Sequence, residues 1–182
     1  MDQPGNAPDP QRRAFVKKAS AVLVGSLAAA IPATAGLTVF LDPLRRRGQS
    51  IDFVRVASMD SVPPDGIPRK FSVVADRFDA WNKSPQVPIG AIYLRRTQDS
   101  KFEALNVVCP HAGCFVDFLA GEKTFTCPCH NSKFALDGSI ADSKSPSPRA
   151  LDALAVEIRN ETEIWVNFQN FLAGKRERIL VT

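Results

Sequence analysis

All four cysteines and both histidines of this 182-residue chain lie between positions 109 and 130. They form two boxes, Cys109-Pro110-His111-Ala112-Gly113-Cys114 and Cys127-Pro128-Cys129-His130. Thiolate and imidazole side chains that converge from two short loops are suitable ligands for a soft or borderline metal. The clustering therefore predicts one metal centre to which both boxes contribute.

Two simpler uses of these residues compete with that interpretation. Zinc binds cysteine and histidine at such spacings, but six candidate ligands exceed the four that zinc takes. Two structural disulfides would use all four cysteines of an exported protein, but they would leave both histidines without a role. Neither alternative accounts for the whole set.

Both boxes resemble those of the Rieske [2Fe–2S] proteins in their residues and in their separation. In these centres two histidines replace two cysteines on one of the two irons. The resemblance implies that Cys109 and Cys127 bind one iron. It also implies that His111 and His130 bind the other iron, and that a disulfide joins the two remaining cysteines, Cys114 and Cys129. The resemblance covers residues 51–182 in general pattern, and its diagnostic part is 109–149. The cluster-binding part of the domain is expected over about 107–149.

Residues that follow the second box are expected to surround the cluster. High-potential relatives have Gly-Ser-x-Tyr after the second histidine, whereas this chain has Asn131-Ser132-Lys133-Phe134. Asparagine tolerates the positive φ that favours glycine, and Ser132 retains a hydroxyl that donates to a bridging sulfur. Phe134 lacks the hydroxyl that would donate to a cysteine sulfur, which predicts a reduction potential below the top of the Rieske range. A lower potential favours menaquinol over ubiquinol as the electron source.

Ser145-Pro146-Ser147-Pro148-Arg149 resembles the proline-containing loop that shields the third side of a Rieske cluster. Pro146 and Pro148 are therefore expected beside the two boxes. An ordinary rigid turn is the alternative interpretation of this segment.

The resemblance points most closely to the iron–sulfur subunit of a bacterial cytochrome bc-type complex. Such a subunit takes one electron from quinol at a b-type cytochrome and passes it to a c-type cytochrome. By this resemblance His130 contacts quinol and accepts its proton, and His111 is the second titrating imidazole. Turnover is expected of the whole complex rather than of this chain alone.

Other Rieske proteins fit less well. A Rieske oxygenase needs two more histidines for its mononuclear iron, and the chain has only two histidines in total. Rieske ferredoxins are usually soluble and lack the extra cysteine pair. The small subunit of an arsenite-oxidase-like exported molybdoenzyme remains as the alternative, although Ser132 and a full-length anchor favour the quinol-oxidising complex.

The elements that must position the boxes are short strands. Beyond residue 50 the apolar residues alternate with period two, and turn signals such as Asp137-Gly138 separate the runs. This pattern predicts an antiparallel all-β head over 51–182, a sandwich or barrel. The predicted strands are Ile51–Val56, Lys70–Ala75, Ile89–Arg95, Phe102–Val108, Lys123–Cys127, Leu154–Arg159 and Glu163–Phe168.

The first fifty residues predict export and anchoring. Residues 1–18 form a tail in which Arg12-Arg13 resembles a twin-arginine signal. Residues 19–41 carry no charge and are long enough to cross a membrane as a helix, and residues 42–50 follow as a hinge linker. The expected location is a bacterial cytoplasmic membrane, with a single pass and the head on the outer side. Cleavage at an A-x-A-like site near Ala35 is the alternative.

The charge distribution excludes a nucleic-acid binder. Residues 1–50 hold seven basic and three acidic side chains, which accounts for the whole net charge of +4. The predicted head is therefore neutral overall, whereas a domain that binds nucleic acid carries a basic excess.

Overall fold

The computed structural model describes residues 10–45, 53–78 and 82–181. The chain divides into two compact units, Met1–Arg47 and Gly48–Thr182. Parts of the predicted tail (1–9) and linker (46–50), and the first two residues of the first predicted strand, lie outside the described residues.

The first unit contains one long helix, α1 (Pro10–Arg45). Within its segment Pro10–Asp42, an 18-residue window has a mean hydropathy of 1.8 and no buried residues, so by length and composition the helix can cross a membrane. The hydroxyls of Thr34 and Thr38 donate to backbone carbonyls one turn earlier, which satisfies two polar groups within the apolar run. The helix begins before the predicted 19–41 span and ends after it.

Over its described residues, the second unit is built from ten strands and one short 3-10 turn, Met59–Ser61. The strands are β1 (Phe53–Ser58), β2 (Arg69–Phe78), β3 (Lys83–Arg96), β4 (Phe102–Asn106), β5 (Asp117–Leu119), β6 (Thr124–Thr126), β7 (Lys133–Phe134), β8 (Ala153–Leu154), β9 (Val156–Arg159) and β10 (Glu163–Asn167). They form three antiparallel sheets with the strand orders β1-β10-β9, β2-β3-β4-β8 and β5-β6-β7.

The middle sheet has apolar side chains on both of its faces. Ile92 of β3 and Ala104 of β4 pack toward Ile164 in the sheet that holds β1, β9 and β10. Their neighbours Tyr93 and Leu105 belong to a second buried cluster, together with residues of the third sheet. Because successive side chains of a strand point to opposite faces, the period-two pattern of the sequence produces both clusters.

The predicted all-β antiparallel head is confirmed, and each of the seven predicted strands overlaps an observed one. The predicted strand Leu154–Arg159 is divided, because β8 pairs with β4 whereas β9 pairs with β10. Strands β5 and β7 were not predicted, since runs of three and two residues are too short to show a period. These two strands flank β6 in the third sheet, and the second box lies in the chain between β6 and β7.

Candidate metal centre

The first box forms a six-residue loop, loop 1 (109–114), between β4 and β5. The N–H of Cys109 donates to the carbonyl of Cys114 at 2.7 Å, and the N–H of Gly113 donates to the carbonyl of Cys109 at 3.0 Å. Gly113 has a φ of +82°, a left-handed conformation that glycine adopts without steric cost. The backbone alone therefore closes this loop.

The second box forms loop 2 (127–132), which repeats the hydrogen bonds of loop 1. The N–H of Cys127 donates to the carbonyl of Ser132 at 2.9 Å, and the N–H of Asn131 donates to the carbonyl of Cys127 at 3.0 Å. Asn131 occupies the position of Gly113 and has a φ of 56°. The predicted left-handed conformation of Asn131 is present, and asparagine is one of the few residues that tolerate it.

A disulfide between Cys114 and Cys129 joins the two loops, as the resemblance implied. The sulfur atoms of Cys114, Cys127 and Cys129 lie within 4.8 Å of one another. Because two of these sulfurs are bonded to each other, only Cys127 of the three can bind a metal. Cys109 and Cys127 remain as the free thiols of the chain.

Both free thiols are buried, with exposed fractions of 0% for Cys109 and 1% for Cys127. Burial, the largest effect, raises the pKa of the Cys109 thiol, and the neighbouring Cys127 thiol raises it further. The backbone N–H of His111 and the hydroxyl of Ser132 lower this pKa. A thiol in such surroundings is inert unless a cation draws off its proton. A bound metal would supply that cation.

The two imidazoles, one from each loop, lie beside each other. The ring centroids of His111 and His130 are 4.6 Å apart, and the rings are nearly perpendicular. His130 is exposed and His111 is half-buried. The Nδ1 atom of His111 is buried and has no hydrogen-bond partner within the described part of the chain. A buried nitrogen without a partner is costly, and a metal ligand bond would satisfy it.

The donor set therefore fits a Rieske cluster. Two thiols and two imidazoles are available from two loops that a disulfide holds together. This is the two-cysteine, two-histidine set that distinguishes a Rieske centre from a four-cysteine [2Fe–2S] centre.

Ser132 and Phe134 are both fully buried beside these donors. The Ser132 hydroxyl is near enough to the Cys109 sulfur to lower the pKa of the thiol. It does not form a hydrogen bond of good geometry within the described residues, so it is available to another acceptor. Phe134 belongs to the same apolar cluster as Cys109 and Cys127. The roles predicted for both side chains stay predictions.

The proline-containing segment 145–149 is held by its own polar groups. The hydroxyl of Ser147, which is buried, donates to the carbonyl of Arg149 at 2.7 Å. Pro148 is half-buried and Pro146 is exposed. Shielding of the cluster by these two prolines stays a prediction.

A buried ion pair, and two hydrogen bonds that anchor this segment to residues 172 and 175, were not predicted from the sequence. The guanidinium of Arg149 contacts Asp152 at 2.8 Å, and both side chains are less than a tenth exposed. The same guanidinium donates to the carbonyls of Leu172 and Lys175. Arg149 is 23 and 26 residues from the two carbonyls in the chain, so no local pattern could reveal these hydrogen bonds.

Asn106, at the end of β4, makes a second connection of this kind. Its side-chain amide donates to the carbonyl of Gln169 at 2.8 Å, and its carbonyl oxygen accepts the N–H of Val108 at 2.9 Å. Asn106 is 1% exposed, and buried polar groups of this kind are hydrogen-bonded as a rule. Asn106 therefore ties the end of β4, which leads into loop 1, to the segment that follows β10.

Comparison with known proteins agrees with this geometry. Residues 52–159 match the model of the Rieske [2Fe-2S] domain. The chain is 28% identical over 142 residues to the cytochrome b6-f complex iron-sulfur subunit of Chlorobaculum thiosulfatiphilum, a match that covers 77% of this chain and 67% of that protein. It is 28% identical over 122 residues to the menaquinol:cytochrome c reductase iron-sulfur subunit of Geobacillus thermodenitrificans, covering 65% and 69% of the two chains.

Identity is higher over a shorter segment. The chain is 43% identical over 54 residues to the cytochrome b6-f complex iron-sulfur subunit of Synechococcus sp. (strain JA-3-3Ab), and the match covers 30% of each chain. The family match spans more than half of the present chain and contains both loops. The chain belongs to the Rieske [2Fe–2S] domain family.

Proposed function

We propose that this protein is the electron-transfer iron–sulfur subunit of a membrane complex that oxidises quinol and reduces a c-type cytochrome. The observation that carries the proposal is the pair of imidazoles, one exposed and one half-buried, that lies beside two buried thiols in loops 1 and 2. An electron carrier needs a redox centre that is shielded on one side and accessible at one edge. These loops provide both conditions.

The ligands in this proposal are two cysteines and two histidines. Cys109 and Cys127 hold one iron, and His111 and His130 hold the other. When bound, the cluster accepts and releases one electron. The disulfide between the loops keeps the two ligand pairs in register, because neither loop can move far without the other.

His130 is the proposed contact for quinol. Its exposed side chain can reach a hydroxyl group of a substrate and accept the proton that quinol loses. His111 is less exposed than His130 and its Nδ1 is buried. Both histidines are proposed iron ligands, but His111 is the less well placed of the two to meet a substrate. The proposed partners are therefore quinol, a b-type cytochrome that binds the quinol, and a c-type cytochrome that receives the electron.

Menaquinol is the proposed quinol. Phe134 lacks the phenolic hydroxyl that would stabilise the reduced cluster, and menaquinol is the more strongly reducing substrate that a lower potential suits. The relative from Geobacillus thermodenitrificans is named a menaquinol:cytochrome c reductase subunit. Nothing comparable supports the alternative of a molybdoenzyme small subunit, since the relatives named above are subunits of cytochrome complexes.

Helix α1 is the proposed membrane anchor, retained in the mature protein, with the head outside the cytoplasm. Its length and hydropathy suit a bilayer core of about 30 Å. N-terminal sequencing of the purified membrane-bound protein should find the helix present, and a start near Gly36 would show cleavage. Replacing Arg12 and Arg13 by lysine should retain the folded protein in the cytoplasm if the twin-arginine signal operates.

Metal analysis and spectroscopy of the purified full chain test the cofactor. Two irons and two acid-labile sulfides per chain are expected, with a rhombic Rieske-type EPR signal on reduction. The variant His130→Ala should lose this signal, whereas His130→Cys should retain a cluster with an altered spectrum. Stoichiometric zinc without iron would refute the proposal.

The quinol step needs a separate measurement. In membranes that hold the complex, a menaquinol analogue should reduce the cluster, and an inhibitor of the quinol site should prevent this reduction. Co-purification of b- and c-type haem with the tagged chain is expected. A molybdopterin subunit in place of the haem would instead support the molybdoenzyme alternative.

A further inference from the structure

The end of the chain forms a hairpin, the C-terminal hairpin (170–181), beyond the last strand of the sheets. The N–H of Leu172 donates to the carbonyl of Ile179 at 2.8 Å, and the N–H of Val181 donates to the carbonyl of Asn170 at 2.9 Å. Residues 173–178 form its turn. Phe171 is 9% exposed and anchors the hairpin to the core, whereas its partner Leu180 is 48% exposed.

The turn of this hairpin is fixed directly against loop 1. The N–H of Gly174 donates to the carbonyl of Pro110 at 2.8 Å. A Cβ atom placed on Gly174 would lie 3.6 Å from the carbonyl oxygen of His111. The Arg149 guanidinium holds the same turn through the carbonyls of Leu172 and Lys175. The turn is thus a rigid neighbour of an iron-binding loop.

The C-terminal hairpin places charged side chains beside loops that have none of their own. Loops 1 and 2 contain no charged residue, and the predicted head over 51–182 has no net charge. Lys175 and Arg176, both exposed, lie in the turn. The acid of the turn is Glu177, while Arg178 pairs with the buried carboxylate of Asp152 at 3.3 Å.

The ionic groups packed against the turn carry an excess of positive charge. Asp152 faces two guanidiniums, those of Arg149 and Arg178. Together with Lys175, Arg176 and Glu177, this set has a net charge of +2. A positive surface therefore borders the loop that carries His111, at the end of a neutral domain.

Exposed apolar side chains accompany these charges. Leu172 and Ile179 of the hairpin are 42% and 44% exposed, and Phe115, directly after loop 1, is 58% exposed. Encounter surfaces of redox proteins are small, with an apolar centre and charges that orient the partner. The combination of exposed apolar groups, a basic turn and an accessible histidine meets these conditions.

We propose that the C-terminal hairpin and loop 1 form the docking face for an acidic electron-acceptor protein, which Lys175 and Arg176 steer toward the histidine edge. This inference rests on the proposed electron-transfer function. A protein partner is favoured over anionic lipid because the face is continuous with loop 1. Lipid bound there would cover the edge through which the electron must leave.

Stopped-flow oxidation of the reduced, cluster-loaded full chain in neutral detergent tests the proposal. The two probes are an acidic bacterial cytochrome c and the basic mitochondrial cytochrome c. Lys175→Glu with Arg176→Glu should slow oxidation by the acidic cytochrome about tenfold at low ionic strength and accelerate oxidation by the basic one. Both effects should vanish near 1 M salt, where charges are screened within about 3 Å.

Lys101→Glu is the matched control for the single variant Lys175→Glu. Lys101 is exposed and precedes β4, whereas loop 1 follows the other end of that strand. Both variants change the charge by the same amount, but only Lys175→Glu should alter the rate appreciably. The EPR signal and reduction potential should be those of the wild type in every variant, which excludes damage to the cluster.

Three outcomes would overturn the docking face. Equal rates for Lys175→Glu and Lys101→Glu would show that the position of the charge is irrelevant. A wild-type preference for the basic cytochrome would give the surface the wrong sign. The rates of the wild type and Lys175→Glu could also be compared in vesicles. A difference that appears only when about a fifth of the lipid is phosphatidylglycerol, and not in phosphatidylcholine alone, would assign the hairpin to lipid. Oxidation of the wild type by neither cytochrome, together with no reduction by menaquinol, would instead remove the proposed function and the docking face with it.

Discussion

Replacing Phe134 with tyrosine should raise the reduction potential of the bound cluster. The ring of Phe134 is 0% exposed and belongs to the buried cluster that contains Cys109 and Cys127. A hydroxyl added to this ring therefore enters the protein interior rather than solvent, within the cluster that holds the two free thiols. The high-potential relatives that the boxes resemble have tyrosine at this position, and by that resemblance we expect the hydroxyl to donate to a ligand sulfur.

The size of the shift follows from the charge that reduction adds. A hydrogen bond to a charged group contributes about 1.5–3 kcal/mol, but only the difference between the two oxidation states changes the potential. If that difference is roughly 1 kcal/mol, the potential rises by about 40 mV for one electron. A buried hydroxyl without an acceptor would instead cost about 1–3 kcal/mol of stability and leave the potential unchanged.

Voltammetry and EPR on the full chain distinguish these outcomes, and Phe125→Tyr is the matched control. Phe125 is equally buried and pairs directly with Phe134 across strands β6 and β7. Its ring packs against Tyr93 and Phe118, with centroid distances of 4.9 and 5.2 Å. A hydroxyl on Phe125 should therefore lower stability without raising the potential.

Ser132→Ala should move the potential in the opposite direction, because it removes a buried hydroxyl from beside the Cys109 sulfur. The reasoning fails if Phe134→Tyr leaves the potential unchanged or lowers it while the EPR signal is intact. An equal rise in Phe125→Tyr would also refute it, since the effect would then be independent of the position of the hydroxyl.

Substitutions at three further positions test how the head is held together. Cys114→Ser opens the disulfide, whose partners are 15 residues apart, and should cost about 3 kcal/mol; iron release to a chelator should become faster than in the wild type. Asn131→Gly should retain the cluster, whereas Asn131→Val should lose it faster, because a φ of 56° costs a β-branched residue about 1–2 kcal/mol; equal rates of iron loss would contradict this. Gly90→Ala should lower the thermal midpoint of the head, since its Cβ would overlap the ring of Phe168. The control Gly121→Ala has open space around the added methyl and should match the wild type.

The sequence alone determined the chemistry of the site. Residues of one box are neighbours in the chain, so covalent connectivity keeps Cys109 near His111 and Cys127 near His130 in any fold. The left-handed backbone conformation of Asn131 could also be predicted from the sequence, because it depends on the backbone preference of one residue type. The strands could be predicted because alternating burial leaves a period of two in the sequence.

The tertiary structure decided which distant segments meet. The division of Leu154–Arg159 between two sheets depends on which partners β8 and β9 find, and their own side chains do not specify this. The same holds for the contact of Gly174 with Pro110 and for the hydrogen bonds from Arg149 to the carbonyls of Leu172 and Lys175 that support it. In the sequence Lys175 resembles any other surface lysine. It gains its proposed role only because backbone hydrogen bonds between distant segments place it beside an iron-binding loop.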